Sequence, residues 1–351
     1  MRPGNRPFFC PLKQLGMNPE ASDKSVDLRS DTVTLPTSAM RQAMAQAEVG
    51  DDVMGEDPTV TQLENQLARR LGKAAAVFVA SGTQSNLVAL LTHCQRGDEY
   101  IAGTGAHAYR AEGGGAAALG GIQPQTIPFQ SDGTLDLSEV ARQVKPADVH
   151  FAVTRLLCLE NTQDGKPLTA SYLQEAGSVC REHALSLHLD GARLFNAATA
   201  LDCSAKALAS PCDSVSVCLS KGLGAPVGSV LVGGEAFIER ARRWRKVVGG
   251  GMRQSGILAA AGLHALHHHV DRLADDHANA DALAEAVNAR YQGAAQSHTN
   301  MVFVDLPAGE LARLQAYLAD RQILIRGRRW VTHLDVSRED INRVSAALQS
   351  F

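Results

Sequence analysis

The chain has 351 residues, 45% of them hydrophobic. That is enough to bury the core of one large domain with a smaller one attached, not a string of modules. A formal net charge of -3 gives no global electrostatic reason to bind nucleic acid or an anionic membrane.

Residues 1–24 mix Pro, Gly, Asn and charge without periodicity and read as an N-terminal extension. They hold no apolar stretch of signal-peptide length, and no run in the chain reaches the roughly 18 apolar residues of a membrane span. The folded body begins at Val26-Asp27-Leu28, turns at Pro36, and continues in helices over Ser38 to Ala47 and Thr59 to Leu71. Strands then alternate with helices. Strands are predicted over Ala75 to Val79, Tyr100 to Ala102, Ile122 to Ile127, Phe151 to Leu159 and Leu185 to Leu189, then over Val215 to Leu219 and Val230 to Val232. Helices are predicted over Gln84 to His93, Leu137 to Val144 and Ala170 to His183. This alternation predicts an α/β domain, residues 25–268, with a mostly parallel sheet covered on both faces. A long Ala- and Leu-rich helix ends at His267-His268-His269. Residues 269–351, with strands near Met301 to Val304 and Gln322 to Ile325 and a last helix from Arg338, read as a smaller α+β domain.

Seven scattered cysteines, none in a C-x-x-C pair, argue against a disulfide framework or zinc site and suit a reducing, cytoplasmic setting. His264 and His268 have the i, i+4 spacing of a metal pair, but no acid nearby completes a site, so no metal is expected. Gly113-Gly114-Gly115 is expected to permit close packing.

Ligands of open α/β sheets gather outside the carboxyl ends of the strands, and four segments lie there. Ser81-Gly82-Thr83-Gln84 follows a strand and opens a helix, where free N–H groups bind phosphate; the alternative is an ordinary turn. Asp190, ending the strand Leu187-His188-Leu189, needs a cationic partner if buried, either a protonated ring nitrogen or Arg193 three residues on. Lys221, between an apolar strand and glycines, is placed like a desolvated amine that forms a Schiff base. His107, on a loop past the Tyr100 strand, suits stacking on a flat ring or moving protons. A lysine for an aldehyde, an acid for a pyridinium nitrogen, a helix start for phosphate and a ring for stacking are what pyridoxal phosphate asks of a protein.

Longer motifs narrow the reading. Val26-Asp27-Leu28-Arg29-Ser30-Asp31-Thr32-Val33-Thr34, Gly50-Asp51-Asp52-Val53, Gly55-Glu56-Asp57-Pro58-Thr59 and Leu159-Glu160-Asn161-Thr162 are four of them. Asp190-Gly191-Ala192-Arg193, Leu219-Ser220-Lys221-Gly222-Leu223-Gly224, Gly250-Gly251-Met252-Arg253-Gln254-Ser255-Gly256 and Val331-Thr332-His333-Leu334-Asp335-Val336 complete the set. From Val26 to the C-terminus the chain resembles the low-specificity L-threonine aldolases, of the fold type I pyridoxal-phosphate enzymes (the aspartate aminotransferase superfamily). The resemblance implies cleavage of L-threonine, L-allo-threonine and related β-hydroxy-α-amino acids to glycine and an aldehyde. It implies that Lys221 carries pyridoxal 5'-phosphate, Asp190 pairs with its ring nitrogen, His107 stacks on the ring, and Gly82 and Thr83 hold the phosphate. Ser30, Arg193 and Arg329 would grip the substrate carboxylate, and His150 resembles a second histidine near the substrate hydroxyl. Lys246 and Arg253 resemble residues lent across a dimer interface to a neighbour's cofactor, implying a homo-oligomer with shared sites. Their neighbours Arg242 and Arg243 are left as a solvated face. The chain departs from the pattern at Met54, where relatives carry an aromatic, and at Arg326-Gly327-Arg328, in place of a more neutral stretch before Arg329.

Overall fold

The structure, a computed structural model, describes residues 25–351; the extension expected over 1–24 lies outside the described residues. The chain enters through β1 (Val26–Asp27), α1 (Ser38–Ala45) and α2 (Pro58–Leu71). Helix α2 starts where it does because Pro58 needs no N–H in the first turn, and Asp57 accepts from the N–H groups of Thr59 and Val60 at 3.1 and 3.0 Å. The expected alternation follows: β2 (Ala75–Val79), α3 (Gly82–His93), β3 (Asp98–Gly103), α4 (His107–Arg110), β4 (Gln123–Ile127) and α5 (Leu137–Gln143). It continues through β5 (Val153–Glu160), α6 (Ala170–Glu182), β6 (Ser186–Gly191), α7 (Leu194–Ala200), α8 (Ala205–Ala209), β7 (Ser214–Cys218) and β8 (Ser229–Gly233). After α9 (Glu235–Val247) and α10 (Gly256–His268) come α11 (Leu273–Arg290), β9 (Ala295–His298), β10 (Met301–Val304) and α12 (Ala308–Ala319). The chain closes with β11 (Ile323–Leu324), β12 (Arg329–Val331) and α13 (Arg338–Ser350).

The large sheet has seven strands in the order β2-β8-β7-β6-β5-β3-β4. Only β8 runs against its neighbours; the other four pairings are parallel. Strands β2, β3, β5, β6 and β7 therefore finish at one edge, and their following loops converge there. Both faces of the sheet are buried, and apolar residues dominate each, with buried His188, Asp190, Ser214 and Ser216 interrupting β6 and β7. On one face Ala76, Phe78, Ile101, Leu157, Leu187 and Val215 meet α2, α6, α7, α8 and α10. On the other, Val77, Val79, Tyr100 and Leu156 meet α3 and α9. Burying each such Leu, Ile, Val or Phe contributes about 1.5–3 kcal/mol.

A second core gathers around Trp330, Val302, Leu314, Leu283 and Val344. Val26 and Leu28 pack into it as well. Strand β1 pairs in parallel with β11, and Leu28 O accepts from Val331 N at 2.8 Å. The segment expected to open the large domain thus packs with the C-terminal core, which carries Ser30 and Asp31 between the two bodies. Helices α9, α11 and α12 carry no sequence expectation. In α11 the buried residues Leu273, Asp276, Ala280, Leu283 and Val287 keep helical spacing, but alanines and the buried Asp276 blur the apolar stripe. A Cβ on Gly113 or Gly114 would meet nothing within 4 Å, and the two residues sit at φ +64° and +67°. They serve a left-handed turn of the backbone, while a Cβ on Gly115 would meet Leu87 Cδ1 of α3 at 3.4 Å.

Candidate active site

Four strand ends supply the first layer of residues. Asp190 is the next-to-last residue of β6, Glu160 ends β5, His107 opens α4 after β3, and Lys221 follows β7. At the β2–α3 junction Ser81 caps the helix, its Oγ accepting from Gln84 N at 3.1 Å. The N–H groups of Gly82 and Thr83 precede that bond and remain free among the described residues. A Cβ on Gly82 would meet only Cys218 Sγ, at 3.9 Å, so the backbone there is approachable.

Asp190 is buried, and its partner is not Arg193. Its Oδ2 accepts from Asn86 Nδ2 at 2.7 Å and its Oδ1 from Ala192 N at 3.0 Å. Asn86 also donates to Glu112 Oε1 at 2.8 Å, and that same oxygen lies 2.8 Å from His107 Nδ1. The Glu112 bond raises the His107 pKa above its ordinary value against the effect of burial, while burial raises that of Glu112. His107 Nδ1–H is thereby committed, and Nε2 is the ring position free to take or give a proton. His107, Glu112 and Asp190 are the one group of three such side chains, among the described residues, whose ligand atoms lie within 4.8 Å of one another.

Glu160 Oε2 accepts from the His107 backbone N–H at 2.9 Å. Burial, with Asp190 as a like charge nearby, pushes the Glu160 carboxyl up to about 7. Lys221 Nζ has no hydrogen-bond or ion-pair partner among the described residues, yet it lies within the field of Asp31, Glu160 and His107. A half-buried amine ringed by acids and left unpaired is placed for covalent chemistry.

Arg193 grips Asp31 instead, Nε and Nη2 reaching its two carboxylate oxygens at 2.8 and 2.7 Å. Asn300 Nδ2 adds a bond to Asp31 at 3.3 Å. Burial works to raise the Asp31 pKa, but Arg193, Lys221 and Asn300 outweigh it and bring the carboxyl down to about 2. The fork expected to hold a substrate carboxylate is thus largely filled, leaving Nη1. Ser30 and Arg329 line a cavity of about 1040 Å³ at the sheet edge, next to Arg110 of the His107 helix.

Several expected residues are not brought to this cluster by their own chain. His150 precedes β5 at the opposite sheet edge, its side chain 80% exposed and bonded to Asp148. The strand starts at Val153 because the segment before it turns outward, with Val149 97% exposed. Lys246 is exposed, and Arg253, 57% exposed, pairs with Asp51 at 2.9 Å. Met54, 70% exposed, lines a cavity of about 630 Å³ with Lys246 and Arg245. In the same basic run, Arg242 binds the buried Glu64 and Arg245 binds Asp52 at 2.8 Å, so only Arg243 is the solvated charge expected. His264 and His268 lie with ring centroids 4.6 Å apart at a helix end.

Asp31, Asn86, Glu112, Glu160 and Asn300 join the cluster without a sequence expectation of their own. Glu160 obeys the rule that points to Asp190, an acid at a strand end, and Asn86 lies one helical turn after Gly82. Glu112 reaches the site through a glycine-rich loop and has no sequence signal.

The Beta-eliminating lyase family profile matches residues 27–308. A low specificity L-threonine aldolase of Escherichia coli K12 is 54% identical over 329 residues, covering 93% of this chain and 99% of the relative. Low-specificity L-threonine aldolase 1 of Arabidopsis thaliana is 44% identical, over 93% of this chain and 96% of the relative. Among solved structures, a Leishmania major threonine aldolase superposes with a TM-score of 0.79 at 22% identity, covering 93% of this chain and 99% of that one. A Sphingomonas wittichii serine palmitoyltransferase does so at 0.72 and 19%, covering 93% and 86%. Those two likenesses carry the fold, that of the fold type I enzymes, and the sequence relatives carry the finer grouping: the chain belongs to the low-specificity L-threonine aldolase family, within the beta-eliminating lyases.

Proposed function

We propose that this protein uses pyridoxal 5'-phosphate to cleave L-threonine, L-allo-threonine and related β-hydroxy-α-amino acids to glycine and an aldehyde. The observation that carries the reading is the unpaired Lys221 among buried acids, beside Asp190 and the His107–Glu112 pair. The residues fit the group. Gly82 and Thr83 offer free N–H groups for its phosphate, Asp190 keeps lone pairs for a protonated ring nitrogen, and His107 offers a ring for stacking. When bound, the cofactor supplies an aldehyde that captures amines and a ring that accepts the electrons of a bond broken at Cα.

The protein's part is positioning and proton control. Asp190, held by Asn86 and Ala192, presents a fixed carboxylate to the ring nitrogen and keeps a proton there. Ser30, Arg329 and the remaining N–H groups of Arg193 would hold the substrate carboxylate and so fix the orientation of the bond to be broken. Nε2 of His107 is the position from which the β-hydroxyl proton is taken, directly or through a water. Glu160, holding a proton near neutral pH, limits the negative charge beside Lys221 and Asp190.

The assembly that fits is a homo-oligomer with shared sites. Among the described residues, Lys246, Arg253 and Met54 form no hydrogen bond or ion pair with the Lys221 cluster, and Lys246 and Met54 line a cavity with exposed Val53. His150, flanked by exposed Val149, Phe151 and Val153, could serve only the site of another copy.

The test is the lysine. Protein reconstituted with pyridoxal phosphate should hold the cofactor covalently after borohydride reduction, and Lys221→Ala should not. A reduced adduct of equal amount in Lys221→Ala would refute the assignment.

A further inference from the structure

The cavity that holds Ser30 and Arg329 is also lined by Arg29, Arg110, Arg326 and Arg328, with Asp164 the single acid among its lining residues. Two of the five guanidiniums are neutralised at its rim: Arg29 by Asp27 at 2.5 Å and Arg328 by Asp305 at 2.7 Å. Arg110, Arg326 and Arg329 have no ion-pair partner among the described residues. The proposed function meets the α-carboxylate of the amino acid with Ser30, Arg329 and the remaining N–H groups of Arg193. Arg110 and Arg326 are left over, around a space of about 1040 Å³ that is far larger than the methyl group of threonine requires.

The charge is also graded with depth. Inside lies Lys221, within the field of the buried Asp31 and Glu160; outside lie the arginines. A molecule matching this arrangement carries its amine inward, toward Lys221, and two anionic groups outward. Guanidinium groups bind carboxylate and phosphate as a planar fork, and a cleft lined by one sign of charge concentrates the opposite one.

We propose that Arg110 and Arg326 form a second anion subsite on the aldehyde side, so that the enzyme favours β-hydroxy-α-amino acids whose β-substituent bears a carboxylate or phosphate. The inference rests on the proposed aldol cleavage and names its substrate class. The chemistry needs no further reactant. The Cα–Cβ bond breaks with its electron pair staying on Cα, the β-hydroxyl loses its proton as C–O becomes C=O, and Cα takes up a proton. With L-3-hydroxyaspartate the products are glycine and glyoxylate.

The experiment compares kcat/KM for L-threonine, L-3-hydroxyaspartate and 4-phosphorylated 4-hydroxy-L-threonine in the holoenzyme and in Arg110→Gln/Arg326→Gln. The wild type should favour at least one dianionic substrate over threonine, and that ratio should fall at least tenfold in the double variant and also with rising salt. The substrate whose ratio falls identifies the anion as carboxylate or phosphate. An unchanged ratio, with threonine cleaved normally by the wild type, overturns the subsite and leaves the aldolase reading standing. Failure of the wild type to cleave any of the three overturns that reading instead. Calorimetric binding of malate to the same two proteins then decides the subsite without catalysis: at least tenfold weaker binding in the double variant supports it, and equal affinity overturns it.

Discussion

Nδ2 of Asn86 donates to Oδ2 of Asp190 at 2.7 Å, and the same nitrogen donates to Glu112 at 2.8 Å. One neutral amide thus spaces two buried carboxylates. Its own orientation is fixed from behind. His188 Nε2 reaches Asn86 Oδ1 at 3.2 Å, His188 Nδ1 lies 2.8 Å from Ser214 Oγ, and His93 Nε2 lies 2.7 Å from that oxygen. Burial pushes His188 down to about 3, so it is neutral. The two acids accept from the Asn86 amide nitrogen, which leaves its Oδ1 facing His188, and the neutral tautomer that matches donates from Nε2 and accepts at Nδ1.

Asn86→Ala should therefore disturb Asp190 without touching the cofactor. A hydrogen bond to a charged group contributes about 1.5–3 kcal/mol, so turnover should fall about tenfold to a hundredfold. The pH midpoint of the bound cofactor's absorbance should move as well, because the ring-nitrogen partner changes. Unaltered turnover and an unaltered midpoint in a folded Asn86→Ala protein would remove Asn86 from the site.

Arg253 and Lys221 should belong to different copies of the chain within one working site. Arg253→Ala and Lys221→Ala, each inactive alone, should regain activity when dissociated and mixed. Random pairing makes half the dimers hybrid with one intact site each, about a quarter of all sites. No recovery after verified subunit exchange would place Arg253 in its own chain's site or in none.

Much of this arrangement is legible in the amino-acid sequence. The strand ends are readable because β2, β3, β5, β6 and β7 are short runs rich in apolar residues and stopped by small or polar ones, and the strand-end rule then puts Asp190, Lys221 and His107 together. What escapes is long-range pairing. Nothing local says that Arg193 will choose Asp31, 162 residues earlier, over Asp190 three residues away, or that β1 will cross to the C-terminal core. Helix α11 is hidden because alanines and buried Asp276 dilute its stripe. His150 is placed by motif alone, and motif carries no information about which copy of the chain it serves.

Glu160 makes a prediction about stability. Its folded pKa, about 7 against an ordinary 4.5, is raised. Its favourable contribution is therefore complete below about pH 4.5 and lost as pH rises through 7. In cofactor-free protein, Glu160→Gln keeps the acceptor for His107 N–H but not the charge. Its stability relative to wild type should rise by on the order of 1–3 kcal/mol between pH 4.5 and 8, at up to about 1.36 kcal/mol per pH unit. Denaturant unfolding at several pH values measures this, and parallel curves for the two proteins would contradict it.

The most direct test of the central claim is product analysis. Holoenzyme incubated with L-threonine, and separately with L-allo-threonine, should release glycine and acetaldehyde in equal amounts, with no release in Lys221→Ala. Appearance of 2-oxobutanoate and ammonia in place of glycine would contradict the account, since the same lysine and acid would then be running an elimination.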